Sequence, residues 1–247
     1  MTIKAVVEYD GKGFHGFQMQ KNEKLRTVQR VLEEVLSSVL NESIKISYAG
    51  RTDKGVNAAR QVISFDTNSK MLPGKFKEVL NRLLADDVKI VELTKEKEGF
   101  DARRNIKSKT YGYNIWNGAY VPPLKRHYFL HVPQLLNIEK MKEAAEVLTG
   151  THDFTSFCST ECEKENKVRT IFDIFIKKTD EHVHIMISGS GFLQHMVRII
   201  CGTLIMVGKG QLAADDVRVI LERKDRKHKG KTEKPHALTL VKIEYGE

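Results

Sequence analysis

The residues of this chain best suited to chemistry sit in one short loop, YAGRTDKGVNA at 48–58. Arg51, Thr52 and Asp53 are displayed there between Gly50 and Gly55, and glycines at such positions let the backbone turn tightly and approach a ligand closely. A guanidinium two residues from a carboxylate favours its ionised form if the two share a pocket. An ionised carboxylate so held can add covalently to an electrophile or remove a proton. Taken alone, the same loop reads more simply as a β-turn with Asp53 as an Asx-type turn residue.

Two further stretches carry chemistry. In KTYGYNIW (109–116) the alternation places Tyr111, Tyr113 and Ile115 on one face of a strand. An aromatic there can stack on a nucleobase for about 1–3 kcal/mol or simply fill the core. In GSGFLQHMVRIICG (189–202), His195 and Arg198 lie three apart on one helical face, and Arg198 sits among Phe192, Leu193, Met196, Val197, Ile199 and Ile200. A guanidinium in such apolar company needs an acid, and Asp53 is one of several candidates. Metal binding is poorly served: Cys158, Cys162 and His152 offer three ligands but no second pair at zinc-finger spacing. Gly189 and Gly191 lack the third glycine and the acid of a dinucleotide fingerprint.

The elements that must position these residues follow from periodicity. Strands are predicted at 2–9, 44–49, 60–66 and 88–94, with helices at 27–40 and about 74–84. The first helix carries an apolar stripe of Val28, Val31, Leu32, Val35, Leu36 and Val39. The second half repeats the order, with strands at 109–116, 168–177, 182–188 and 238–245. Its helices fall at about 138–149, from 192 to about 206, and near 213–223. Two tandem βαββαβ units (split-βαβ, ferredoxin-like) around a largely antiparallel mixed sheet make an α+β fold. The expected division is 1–105, carrying the Asp53 loop, and 106–247, carrying the aromatic strand and the Arg198 helix, with the active-site cleft between them.

Composition narrows the partners. Across 247 residues, 41 Lys and Arg against 32 Asp and Glu give a net charge of +9, which suits a polyanion such as nucleic acid. The segment 223–234, RKDRKHKGKTEK, is expected to be a solvated basic loop available to phosphate. No apolar run approaches the roughly 20 residues of a membrane span. The start of the chain reads as a charged strand without a signal core. Three irregularly spaced cysteines suit a reducing, cytoplasmic compartment.

Several long motifs, in order, resemble the TruA family of tRNA pseudouridine synthases from Val7 nearly to the C-terminus. They are YDGKGFHGFQMQ (9–20), the 48–58 loop, FDARRNIKSKTYGYNIWN (100–117), GTHDFTSFC (150–158) and GFLQHMVRIICGTLIMVGKG (191–210). The chain departs from the family pattern at Phe17, where Trp is usual, at Asn57, where His is usual, and at Ala237 within TEKPHALTL (232–240), where Gly is usual. The resemblance implies that Asp53 is the catalytic aspartate, that Tyr111 stacks on the target uracil and that Arg198 pairs with the aspartate. It further implies Arg51, Arg103, Lys109 and Leu238 as substrate-binding residues. The implied enzyme is a homodimer without metal or organic cofactor, acting on uridines 38, 39 and 40 of the tRNA anticodon stem-loop.

Two other readings use the same residues. A non-catalytic RNA-binding module would explain the charge and the aromatics but leaves the Gly-Arg-Thr-Asp loop and Arg198 without a purpose. A glycosidic-bond hydrolase normally needs two carboxylates flanking the bond. The aspartates nearest Asp53 in sequence are Asp10 and Asp66, which only folding could bring close.

Overall fold

A computed structural model of the chain describes residues 1–225 and 230–246. It is α+β, with mostly antiparallel strand pairing, and it divides into two compact units: Met1–Lys107 with Thr239–Glu247, and Ser108–Leu238.

The first unit contains β1 (Thr2–Tyr9), α1 (Val28–Leu40), β2 (Ser47–Tyr48), β3 (Asn57–Asp66), α2 (Pro73–Leu83) and β4 (Val88–Glu96). β1 is central, antiparallel to β3 through Val6↔Val62 and to β4 through Val6↔Glu92. The other edge of β3 is shared: β2 pairs with its far end through Tyr48↔Ile63, and β10 (Leu238–Tyr245) runs parallel to its start through Thr239↔Asn57. The first compact unit thus runs to Lys107 and takes in the last strand. Ile243 and Tyr245 pack on the buried cluster of Val6, Ala49, Val62 and Ala102, and the Tyr245 hydroxyl donates to the Ala102 carbonyl at 2.8 Å.

α1 starts where Thr27 caps it, the side chain accepting from the Arg30 amide, and it buries Val28, Leu32 and Leu36 of the expected stripe. The apolar pattern did not indicate Glu33, which is buried beside them. Its carboxylate accepts from the Ile46 amide, Gln29 and Lys45, so it is hydrogen-bonded rather than stranded.

The second unit begins within β5 (Ile106–Trp116) and contains β6 (Leu130–His131), α3 (Ile138–Leu148), β7 (Gly150–Asp153), β8 (Val168–Thr179), β9 (His182–Gly189), α4 (Met196–Gly208) and α5 (Ala214–Arg223). Its main strands lie in the order β5-β9-β8-β7, all antiparallel. One face collects Tyr111, Tyr113 and Ile115 from β5 with Val183, Ile185 and Ile187 from β9, all buried. α4 begins at Met196 rather than 192, because His195 adopts a left-handed backbone (φ 61°) that ends the preceding turn.

The expected solvated loop is only partly so. Residues 226–229 of it lie outside the described residues, and on the far side Gly230 and Glu233 are buried. Gly202 on α4 presents no Cβ to this segment, so the Lys231 carbonyl packs directly against the helix.

Candidate active site

The Asp53 loop joins β2 to β3, and its backbone is gripped from several directions. Thr52 is buried, with its Oγ1 2.8 Å from the Tyr9 hydroxyl on β1. The Thr52 carbonyl accepts from the Phe17 amide at 3.1 Å, the Gly50 carbonyl accepts from Gln61 Nε2 at 2.7 Å, and the Val56 amide closes a turn onto the Asp53 carbonyl at 3.1 Å. The segment 10–17 lies over the loop. Gly16 (φ 95°) passes so close that a Cβ would come within 3.0 Å of the Thr52 carbonyl. Asp53 is half-buried, whereas Arg51 and Lys54 on either side of it are exposed. The result is a carboxylate on a fixed backbone with solvent access and cations beside it in sequence.

Arg103, in the same unit, has its guanidinium engaged by Asp101 through Nε and Nη2 at 2.6–3.1 Å. Those hydrogen bonds hold the Asp101 carboxyl down at about 2. Arg103 remains largely exposed and keeps donor capacity for a ligand.

In the second unit, Tyr111 is buried with its ring edge-on to Phe192, centroids 5.3 Å apart at 89°. The close approach of Phe192 depends on Gly189, where a Cβ would meet the ring at 3.2 Å and the Thr170 carbonyl at 2.7 Å. Lys109 lies two residues before Tyr111 on the same strand face. Burial, and then the like charges of Lys164 and Arg169, lower its ammonium to about 8. On α4, Arg198 donates through Nε to the Glu233 carbonyl at 2.6 Å, and the Glu233 amide donates back to the Arg198 carbonyl. Leu238 is buried and follows the turn Pro235–Ala237. Among the described residues, no three His, Cys, Asp or Glu side chains cluster as metal ligands, and no helix is long and apolar enough to cross a membrane.

The profile of the family described as tRNA pseudouridine synthase matches residues 5–103 and 144–246. The chain belongs to this family. It is 43% identical over 244 residues to tRNA pseudouridine synthase A of Thermoanaerobacter sp. strain X514, covering 99% of both chains. It is 42% identical over 248 residues to the protein of that name from Bacillus subtilis strain 168, again with 99% of each covered. Among solved structures it is similar to a chain of the archaeal box H/ACA sRNP Nop10-Cbf5 complex, with a TM-score of 0.38 and 10% identity over 95% of this chain and 58% of that one. As a pseudouridine synthase the enzyme is an isomerase.

The three departures of this synthase from its family pattern all have structural employment. Phe17 is fully buried and packs on Tyr48 (centroids 4.6 Å apart) and on Tyr9 (6.0 Å). The Asn57 side chain accepts from the Gly11 amide at 2.8 Å, tying the segment over the loop to the start of β3. Ala237 is completely buried in the turn before Leu238. Sequence reasoning overlooked Tyr9, Phe192 and the Glu233 carbonyl as supports of the candidate residues. The paired glycines at 189 and 191 were the available signal for Phe192, whereas nothing in the sequence marks a carbonyl 35 residues from its donor.

Proposed function

We propose that this synthase converts uridine to pseudouridine at positions 38, 39 and 40 of the tRNA anticodon stem-loop, with Asp53 as its catalytic carboxylate, and that it works in the cytoplasm as a homodimer. The observation that carries this reading is the grip on the Asp53 backbone through Thr52, Gly50 and Val56 while the Asp53 side chain stays half-buried. A carboxylate held this way loses little freedom when it meets the substrate, which is how a positioned group lowers a barrier.

The reaction breaks the bond from ribose C1′ to uracil N1 and forms one from C1′ to C5. N1 gains a proton and C5 loses one, so the change is redox-neutral and consumes no water. The target base must leave its stack, costing a few kcal/mol. Stacking on Tyr111, whose ring Phe192 holds edge-on, offsets about 1–3 kcal/mol of that. Arg51, Arg103 and Lys109 contribute phosphate contacts, and Leu238 gives the uracil an apolar neighbour. Arg198 is the residue that this reading pairs with the catalytic aspartate. The carboxylate then adds covalently to the substrate or moves a proton during the rearrangement.

The test is Asp53→Asn with a single unmodified transcript. The variant is expected to melt and bind tRNA as the wild type does, with turnover reduced by at least about 10²–10⁴-fold. Mapping on wild-type product should place pseudouridine at 38–40. A variant that turned over at the wild-type rate would remove Asp53 from the mechanism, and free uracil in the products would favour the hydrolase reading.

A further inference from the structure

We propose that Cys158 and Cys162 form a redox modification site, in which a hydroperoxide converts the two thiols to a disulfide and thereby loosens the start of α4. The pair belongs to the stretch TSFCSTEC (155–162), which holds none of the residues assigned above to the pseudouridine chemistry. After the single turn Thr155–Phe157, Cys158 is extended and fully buried, and its Sγ lies 3.4 Å from the Thr155 carbonyl. The chain then folds back, the Cys162 amide donating to the Ser159 carbonyl at 3.1 Å, which brings the Cys162 thiol into hydrogen-bond contact with the Cys158 side chain. Cys162 keeps the larger opening of the two, 9% exposed.

The surroundings of Cys162 favour its thiolate. Burial alone would raise this thiol, but the amides of Lys164 and Gln194, the Cys158 side chain and the charge of Lys167 outweigh burial and leave it below the ordinary value. Thiolate character and access are what select a cysteine for oxidation. Cys201, the third cysteine, is fully buried inside α4, and burial pushes its thiol up, so it serves as an internal unreactive control.

The chemistry balances. The Cys162 thiolate attacks one peroxide oxygen, the O–O bond breaks, and the leaving hydroxide takes a proton to become water. The Cys158 sulfur then displaces the hydroxyl from the Cys162 sulfenic acid, releasing its own proton and a second water. Two thiols are oxidised by two electrons and one peroxide is reduced. The sulfurs must close from hydrogen-bond contact to about 2.05 Å.

That movement is coupled to α4 through Gln194. The Gln194 carbonyl accepts from the Ser159 amide at 2.9 Å, and the Gln194 amide donates to the Cys162 sulfur, so the peptide groups on either side of one residue hold the cysteine loop. The next residue is His195, whose left-handed backbone sets the first turn of the helix that carries Arg198. Drawing the Cys162 sulfur toward Cys158 takes it from the Gln194 amide at the point where α4 is aimed. The consequence for turnover rests on the proposed role of Arg198; formation of the bond does not.

The test uses the full chain with hydrogen peroxide as oxidant. Intact mass should show loss of two hydrogens, with peptide mapping assigning the bond to 158–162 and Cys201 left reduced. Pseudouridine formation should fall by about 10- to 100-fold, as expected for a misplacement near 1 Å, and recover with dithiothreitol. Cys162→Ser should keep basal activity and lose the peroxide response. Cys158→Ser should also keep basal activity, stopping at a sulfenic acid that dimedone traps. Failure of the disulfide to form, or a disulfide with unchanged turnover, overturns the proposal. An Arg198→Ala variant with normal turnover would instead sink the role assigned to Arg198, a result that the mass measurement leaves separate.

Discussion

The hydroxyl of Tyr9 lies 2.8 Å from Oγ1 of Thr52, and both groups are buried, so the residue before Asp53 is tied to the first strand of the fold. Burial pushes the Tyr9 phenol far above its usual value, more than the hydrogen bonds of Thr52 and Gln61 draw it down, so it remains protonated and able to donate throughout the working range. This hydrogen bond is one of those that link the core of the first unit to the position of the candidate carboxylate.

Tyr9→Phe removes that bond and strands the Thr52 hydroxyl in the interior. A buried polar group left without its partner costs about 1–3 kcal/mol. Denaturant unfolding should show a loss in this range, with kcat reduced and KM for tRNA little changed, because the carboxylate moves while the phosphate contacts stay. The sign of the pH effect follows from the raised phenol: its stabilisation is complete below the unfolded value near 10 and is lost as pH rises above it. The variant should accordingly lose less stability than the wild type between neutral pH and about 11. Unchanged kcat would mean that Thr52 holds its place without Tyr9.

Tyr111 depends on Phe192 in a comparable way. The edge-to-face contact at 5.3 Å is worth about 0.5–1.5 kcal/mol beyond burial, which corresponds to a factor of roughly 2–13 in rate or affinity. Phe192→Ala should lower kcat/KM for tRNA by a factor of that size, whereas Phe192→Tyr should restore most of it. Steady-state kinetics on one transcript distinguishes these outcomes. A Phe192→Ala variant indistinguishable from wild type would show that the Tyr111 ring is set by its strand alone.

How far these features were legible in the sequence depends on whether they are local. The alternation in KTYGYNIW correctly put Tyr111, Tyr113 and Ile115 on one face, and the three- and four-residue steps after Thr27 correctly gave α1, because both periods are properties of a single segment. The first turn of α4 was misplaced by four residues, since the left-handed backbone of His195 leaves no periodic trace. The place of the last strand beside β3 leaves no local trace either, because pairing Thr239 with Asn57 joins residues far apart in the chain. The candidate residues themselves were nameable from motifs. Their supports, Tyr9 beneath Thr52 and the Glu233 carbonyl against Arg198, are visible only once the chain has folded.

Lys109 yields a prediction about protons. With its ammonium lowered to about 8, by burial first and then by Lys164 and Arg169, it is about half-charged at pH 8. A phosphate placed beside it would favour the charged form and raise it again. Binding of tRNA at pH 8 should then take up about half a proton, read by calorimetry in buffers of differing ionisation enthalpy, and Lys109→Met should abolish the uptake. The same lowering predicts that stability rises with pH between about 8 and 10.5, where the unfolded chain holds the proton that the folded one has released. Binding without proton uptake would place the phosphates elsewhere on the basic surface.

Gly202 is the residue that lets the 230–234 segment reach Arg198. A methyl group at 202 would strike the Lys231 carbonyl and come within 3.4 Å of Glu233 Cγ, and both obstacles lie in the segment whose Glu233 carbonyl accepts from Arg198 Nε. Overpacking of this kind costs about 1–3 kcal/mol, or roughly 2–4 °C in Tm per kcal/mol for a chain of this size. Gly202→Ala should therefore lower Tm and reduce kcat together, since relief of the clash carries the carbonyl away from the guanidinium. Gly191→Ala, in the same motif, adds a methyl that meets nothing within 4 Å and should leave Tm unchanged. If Gly202→Ala lowered Tm while kcat held, the Glu233 carbonyl would be a fold contact with no part in aiming Arg198.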